Sequence, residues 1–140
     1  MYATPAQWIA QFGEKEAVSL TDRAYAGVPD EVLLADALER ASAEIDGYLG
    51  GRYAVPLTPA PPILANYCGD IARYRLCGAG SPATEEIRQR YRDAVRFLEH
   101  VAAGRVTLGG MPSGAPVPSA TPVRFVTGGR VFARDGDGAF

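Results

Sequence analysis

Residues 81–103 read SPATEEIRQRYRDAVRFLEHVAA, a stretch with an uninterrupted helical period. Its apolar side chains recur every three or four residues, which places them on one face of an α-helix. They are Ile87, Tyr91, Ala94, Leu98 and Val101. The helix is predicted to begin near Ser81-Pro82 or at Thr84 and to run to Ala103, with Gly104 just beyond it. This stretch predicts a mainly helical fold.

Two further long helices are predicted upstream. The first runs from about Pro29 to Leu49 and stops at Gly50-Gly51, and the second runs from Pro61 or Pro62 to Cys77. The apolar stripe of the first comprises Leu34, Leu38, Ala41, Ile45, Tyr48 and Leu49, and that of the second comprises Leu64, Tyr67, Cys68, Ile71 and Tyr74. Between them, the proline-rich segment RYAVPLTPAPP predicts an extended crossover, because proline interrupts both helices and central strands.

Two short helices are predicted at the N-terminus. Thr4-Pro5 is a helix-start signal for a segment that ends at Phe12, and a second piece runs from Glu14 to Leu20. Together with the three long helices, these pieces suffice for one small helical bundle. The fold class is therefore predicted as mainly α, with a helical domain over residues 1–108.

The composition fits one globular domain without a dedicated nucleic-acid surface. Hydrophobic residues make up 47% of the 140 residues, which argues against a disordered chain. The formal net charge is −2, whereas a protein that neutralises phosphates would carry a basic excess. The start shows no signal-peptide pattern and no long apolar run, so a cytoplasmic site of synthesis is expected. Cys68 and Cys77 are predicted to stay reduced, because nine residues of helix separate them too far for a disulfide.

Residues 109–140 differ in composition and are predicted to form a proline- and glycine-rich tether followed by an arm. Two short apolar runs flank Gly128-Gly129, so the arm could form a hairpin of short β-strands or remain extended. It can fold back on its own bundle or dock on a neighbouring subunit or partner, and docking is favoured. The candidate interface residues are Val123, Phe125, Val126, Val131, Phe132 and Phe140.

No residue pattern nominates an active site. His100 is the only histidine and projects to the solvent side of its helix, without cysteines or acids at ligand spacing. Asp70 and Arg73 can form an ion pair along one helix surface or an interface contact. An enzyme would need an unrecognised site around Asp70, Arg73 and Tyr74. We therefore expect no catalytic residues, no metal and no cofactor.

Three arginines form a basic stripe on the helix over residues 81–103. Arg88, Arg92 and Arg96 recur at intervals of four, opposite the apolar stripe, with Glu85 and Glu99 on the same strip. The stripe can contact DNA, or it can serve as a solvated face or a salt-bridged subunit contact. A solvated face or a subunit contact is favoured over DNA contact. A small helical DNA-binding regulator is the alternative function, although the crossover is longer than a helix-turn-helix turn.

An ordered set of segments resembles the phage Mu-like head-completion, or head–tail connector, family of phages and prophages. These segments are MYATPAQWIAQFGEKE at 1–16, ASAEIDGYLGGRYAVPL at 41–57 with PPIL at 61–64, CGDIARYRL at 68–76, ATEEIRQRYRDAVRFLEHVAAGRVTLG at 83–109 and GRVFARD at 129–135. They cover nearly the whole chain in the same order and spacing, which makes the set more specific than any one of its members.

The resemblance implies a structural protein without catalytic residues. Such an adaptor joins the portal vertex after DNA packaging, between the portal protein and a tail-side neck or terminator protein. Related connectors form twelve-fold rings, so the implied partners include further copies of this chain, and packaged DNA passes through without sequence-specific binding. The implied location is the neck of the virion, after assembly in the bacterial host cytoplasm.

Overall fold

In a computed structural model of the chain, residues 1–109 are described, and they contain five α-helices. These are α1 (Pro5–Phe12), α2 (Glu14–Thr21), α3 (Glu31–Leu49), α4 (Pro62–Leu76) and α5 (Glu85–Ala102). No strand occurs among the described residues, apart from one isolated bridge between Gly78 and Ser81. The prediction of three long helices preceded by short ones is confirmed.

The short helices α1 and α2 are separated by a single glycine. A reciprocal capping box starts α1, in which the Thr4 hydroxyl accepts from the Gln7 amide and the Gln7 side chain accepts from the Thr4 amide. Gly13 then takes a φ of +95°, a backbone conformation that other residues rarely adopt. This turn changes the chain direction, so α1 and α2 pack as two short pieces.

Side-chain caps set the starts of α3 and α5. The Asp30 carboxylate accepts from the amides of Val32 and Leu33, so α3 begins at Glu31 and not at about Pro29. The Thr84 hydroxyl accepts from the Ile87 amide, which selects the later of the two predicted starts of α5. Cys77 follows α4 as its cap residue rather than as its last helical residue.

The three long helices pack against one another around a single core. Leu34, Leu38 and Ile45 of α3 are fully buried, as are Leu64 and Ile71 of α4 and Leu98 and Val101 of α5. Two aromatic pairs show the relative direction of α4 and α5. Tyr67 packs on Phe97, and Tyr74 stacks on Tyr91, so the two helices are antiparallel. The predicted stripes are the buried faces, with one exception.

Tyr74 was predicted in the apolar stripe of α4, and that placement is wrong. It is 36% exposed, whereas Ala72, Gly69 and Asp70 lie on the buried side. The reason is that α3 and α5 pack against α4 and Trp8 of α1 covers it at Gly69, so its buried face is broader than one stripe. Tyr74 lies at the edge of that face, where only its ring plane is covered by Tyr91.

The crossover at residues 50–61 has no helix or strand, as predicted. Tyr53 is buried, and its hydroxyl accepts a hydrogen bond from the Leu108 amide at 3.2 Å. The Tyr2 hydroxyl donates to the Asp46 carboxylate and accepts from the Leu57 amide. The crossover is therefore attached to both the N-terminal segment and the segment after α5.

Both cysteines are free thiols, as predicted: Cys68 is buried in the core and Cys77 is half-buried at the end of α4. None of the helices in residues 1–109 combines the length and apolarity needed to cross a bilayer. The predicted tether and arm at 109–140 fall almost entirely outside the described residues. The domain boundary at residues 108 and 109, the hairpin and the interface role of Val123, Phe125, Val126, Val131, Phe132 and Phe140 therefore remain predictions.

Candidate interaction surfaces

Asp70 is a nearly buried acid in the contact between α4 and α5. Its side chain is 10% exposed, and its carboxylate pairs with the Arg90 guanidinium of α5 at 3.4 Å. Burial raises the pKa of the Asp70 carboxyl, and Arg90 opposes this effect only in part. The Asp70 carboxylate is thus committed to an internal ion pair, which explains its position on the buried side of α4.

Arg73 is held by acids from two other helices. Its guanidinium lies 2.8 Å from the Glu16 carboxylate of α2 and 3.6 Å from the Glu86 carboxylate of α5. It also covers the Phe12 ring at 4.8 Å. Because Glu86 also pairs with Arg90 at 3.2 Å, one network of charges joins α2, α4 and α5. These contacts fasten the N-terminal helices to the bundle.

The predicted ion pair between Asp70 and Arg73 does not form. Both residues find closer partners on neighbouring helices, Asp70 with Arg90 and Arg73 with Glu16. The spacing of three residues brings Asp70 and Arg73 near each other along α4. However, α2 and α5 pack against α4 and supply the partners with which the ion pairs form, Glu16 and Arg90. The sequence did not indicate Glu16, Glu86 and Arg90 as partners of Asp70 and Arg73, since no local spacing links them to α4.

A second polar cluster lies where α3, α4 and α5 meet. The Glu44 carboxylate accepts from the Arg75 guanidinium at 2.8 Å and from the Tyr91 hydroxyl at 3.1 Å. Tyr91 in turn stacks on Tyr74, with ring centroids 4.2 Å apart. Tyr74 therefore extends a surface of stacked rings and charges. Tyr74 and Asp70 thus have different partners, Tyr91 and Arg90 respectively.

The basic stripe of α5 is exposed, and part of it is neutralised. Glu85 accepts from Arg88 at 3.5 Å and from Arg92 at 3.2 Å, so one carboxylate serves two of the three arginines. Arg96 is exposed and has no ion pair within residues 1–109, and the expected neutralisation by Glu99 does not form there. Among residues 1–109, the stripe therefore presents paired charges at Arg88 and Arg92 and an unpaired guanidinium at Arg96.

The structure also joins Arg88 to arginines that the sequence keeps far apart. Arg23, Arg40, Arg75 and Arg88 line a cleft of about 550 Å³, together with the Tyr74 side chain. Three of them already have acidic partners, since Arg40 pairs with Asp36, Arg75 with Glu44 and Arg88 with Glu85. Each paired guanidinium retains N–H donors, so the cleft can bind hydrogen-bond acceptors such as carboxylates. No sequence signal could reveal it, since the four residues come from four separate segments.

The described residues hold no group of three or more side chains of the types that bind metals. His100, which was predicted to face solvent, is half-buried near the end of α5, and its carbonyl accepts from the Arg105 amide at 2.9 Å. The charged side chains of this part of the chain form ion pairs both within and between helices.

The comparisons with known proteins agree with the predicted resemblance. The family model described as Bacteriophage Mu, Gp36 matches residues 2–127. The Mu-like prophage FluMu protein gp36 of Haemophilus influenzae is 42% identical over 106 residues, which cover 76% of this chain and 74% of that protein. Gene product J of Escherichia phage Mu is 43% identical over 83 residues, which cover 59% of this chain and 57% of that protein. The resemblance to Mu-like phage proteins is confirmed, and the chain belongs to the bacteriophage Mu Gp36 family.

Proposed function

We propose that this chain is a structural head-completion or head–tail connector protein of a tailed phage or prophage. Copies of it form a ring, twelve-fold by analogy with related connectors, between the portal protein and a tail-side neck or terminator protein. The observation that carries the proposal is the match of the phage Mu family over residues 2–127, which supports a structural or morphogenetic role. Its place is then the neck of the virion, after assembly in the host cytoplasm.

The charge distribution supports a component through which DNA passes without being held. The whole chain has a net charge of −2, and Glu85 partly neutralises the arginine stripe of α5. A lumen lined by unpaired arginines would bind the phosphates of the genome that it conducts. Paired arginines retain hydrogen-bond donors for protein carboxylates, which favours contacts between subunits over contacts with DNA.

Co-expression with the portal protein of the same phage or prophage tests the proposal. We expect the two proteins to copurify and electron microscopy to show this chain as a ring on the portal. A portal that remains bare at saturating amounts of the folded chain would overturn the connector assignment. Class averages of the complex would also give the number of subunits directly.

The arm is proposed to anchor the ring. Removal of residues 112–140 should leave a folded helical domain, as judged by circular dichroism, but prevent its incorporation into particles. The reason is that this segment carries valine and phenylalanine residues beyond a proline-rich tether, and such side chains need a surface to cover. Normal joining of heads and tails with the truncated chain would contradict this role.

A small DNA-binding regulator is the second candidate, and the exposed Arg96 favours it. Binding to duplex DNA across a salt series distinguishes the two functions, because each phosphate contact steepens the dependence of log K on log salt by about 0.9. A regulator should bind tightly at low salt, and Arg96→Gln should reduce the magnitude of the slope by about 0.9, the contribution of one phosphate contact. Arg40→Gln serves as the matched control, since Arg40 is exposed but paired with Asp36. A connector should show only weak, non-specific binding.

A further inference from the structure

An exposed apolar knob lies before and at the start of α3. We define it as Tyr25, Val28 and Val32, whose exposed fractions are 95%, 58% and 81%. These three large apolar side chains lie within eight residues of sequence, and exposed apolar patches are a feature of contact surfaces. No residue among 1–109 covers them, so the knob is open to a contact as far as this part of the chain is concerned.

The backbone of the knob is held in place although its side chains contact little. Tyr25 has a φ of +57°, a left-handed conformation that disfavours residues with side chains. The Asp22 carboxylate fixes this loop by accepting from the amides of Ala26 at 2.9 Å and Gly27 at 2.7 Å. The loop thus holds the Tyr25 backbone in a strained conformation while the Tyr25 ring stays exposed. Backbone strain of this kind is found at functional sites.

An apolar groove lies at the other end of the bundle. It has a volume of about 690 Å³, and its lining includes Ala54, Pro56, Leu57, Pro59, Pro61 and Leu108. The knob precedes α3 and the groove follows it, and the 19 residues of α3 separate them by about 28 Å at 1.5 Å per residue. One molecule therefore cannot place its own knob in its own groove.

The charges around the knob and the groove are complementary. Residues 22–32 hold Asp22, Asp30 and Glu31 against Arg23, an excess of two negative charges. Residues 50–62 and 103–109 hold Arg52 and Arg105 and no acid. The Arg52 Nε is buried without a hydrogen-bond partner among the described residues. The nearby arginine cleft does not reverse this pattern, since Arg40, Arg75 and Arg88 are paired within the chain.

We propose that the knob of one copy of this chain docks in the groove of a second copy. The apolar side chains enter the groove, and the acids beside the knob face Arg52 and Arg105. Such a contact joins two different surfaces, so it leaves a free knob and a free groove at the ends of every pair. It generates a ring when the rotation between successive copies closes, as the proposed ring requires. The inference rests on the proposed ring and specifies its subunit contact.

Two single variants of the full chain test this contact. Tyr25→Asn removes the ring but keeps a residue that tolerates a left-handed backbone, and Ala54→Glu places an acid at an exposed position of the groove. We expect the unaltered chain to form oligomers at millimolar concentration in sedimentation velocity, and each variant alone should lose them. Mixing the two should restore pairs but nothing larger, because only one knob and one groove remain intact.

A mixture that associates no better than the single variants would overturn the proposal. The same holds for an unaltered chain that stays monomeric at millimolar concentration, or for single variants that assemble normally. A photo-crosslinking residue at position 54 identifies the occupant of the groove. Crosslinks to residues 25–32 of another copy support the proposal, whereas crosslinks to residues 110–140 of the same chain contradict it.

These outcomes are separate from those of the connector test. If the variants associate normally but the chain still forms a ring on the portal, the subunit contact assigned here is wrong and the connector function stands. If the chain self-associates through knob and groove but never binds the portal, the contact stands and the connector function is wrong. Tyr25→Asn should therefore be assayed in both experiments.

Discussion

The indole Nε1 of Trp8 donates a hydrogen bond to the backbone carbonyl of Gly69 at 3.1 Å, 61 residues away along the chain. Trp8 is fully buried, so this bond satisfies a donor that would otherwise be left without a partner in the core. It places α1 directly against the middle of α4. The small size of residue 69 is what permits this approach.

Gly69→Ala should destabilise the fold, although alanine normally favours a helix. An added Cβ would lie 2.9 Å from the Gln11 Oε1 and 3.2 Å from the Phe12 ring, so the Gln11 side chain would have to move away and the packed Phe12 ring would have to give way. We expect a loss of about 1–2 kcal/mol in urea unfolding, as is typical of overpacking. Gly47→Ala is the control, since no atom lies within 4 Å of its added Cβ, and it should gain about 0.5–1 kcal/mol. Equal effects of the two variants would contradict the close packing at Gly69.

Arg73→Ala should loosen the N-terminal helices. The Arg73 side chain is 12% exposed, and its loss removes the partner of Glu16 and the cation over Phe12. We expect a loss of about 2 kcal/mol in the free energy of unfolding, because hydrogen bonds to charged groups are worth about that much. Hydrogen exchange should also accelerate in α1 and α2.

Arg40→Ala is the matched variant for Arg73→Ala. The Arg40 pair with Asp36 is open to solvent, with side chains 74% and 51% exposed. Its removal should therefore change stability by less than about 0.5 kcal/mol. A loss as large as that of Arg73→Ala would show that the distinction between internal and surface ion pairs fails here.

Tyr2→Phe should remove the hydrogen bond that attaches the crossover at residues 50–61 to the N-terminal segment. Burial and the hydrogen bond to Asp46 raise the pKa of Tyr2 to about 12, whereas its ordinary value is 10.0. A pKa that is higher in the folded chain means that the stabilising contribution is fully present below pH 10 and is lost as the pH rises to about 12. We expect the variant to lose about 1–2 kcal/mol near neutral pH, since two hydrogen bonds disappear.

Two measurements check the role of Tyr2. The stability difference between the unaltered chain and Tyr2→Phe should shrink between pH 10 and about 12. Exchange of the Leu57 amide proton, which the Tyr2 hydroxyl accepts, should accelerate in the variant. A difference that stays constant over this pH range, or an unchanged Leu57 exchange rate, would contradict the anchoring role.

Asp70→Asn should change the pH dependence of stability rather than the fold. Burial raises the pKa of the Asp70 carboxyl, so the folded chain binds its proton more tightly than the unfolded chain. The contribution of Asp70 is therefore fully present below the unfolded pKa of about 4 and is lost as the pH rises through the higher folded value. The unaltered chain should lose stability relative to the variant over this interval, as measured by urea unfolding. A relative gain in stability with rising pH would show that Arg90 outweighs burial.

Much of the helical architecture could be predicted because its signals are local. A proline or a capping side chain starts α1, α4 and α5, and the period of apolar residues gave the buried stripes of the long helices correctly. The placement of Tyr74 failed because a stripe on a helical projection does not show how many neighbours cover the helix. The family resemblance was also readable from the sequence, because it depends on the order and spacing of segments.

The sequence by itself determined the helices, their apolar faces and the proline-rich break between α3 and α4. Only the tertiary structure decided which charges meet. Arg73 pairs with Glu16, 57 positions away, and Asp70 pairs with Arg90, 20 positions away, and not with Arg73 on its own helix. The physical reason is that helix formation depends on interactions within a few residues, whereas the partner and the burial of a charged side chain depend on how separate helices are packed.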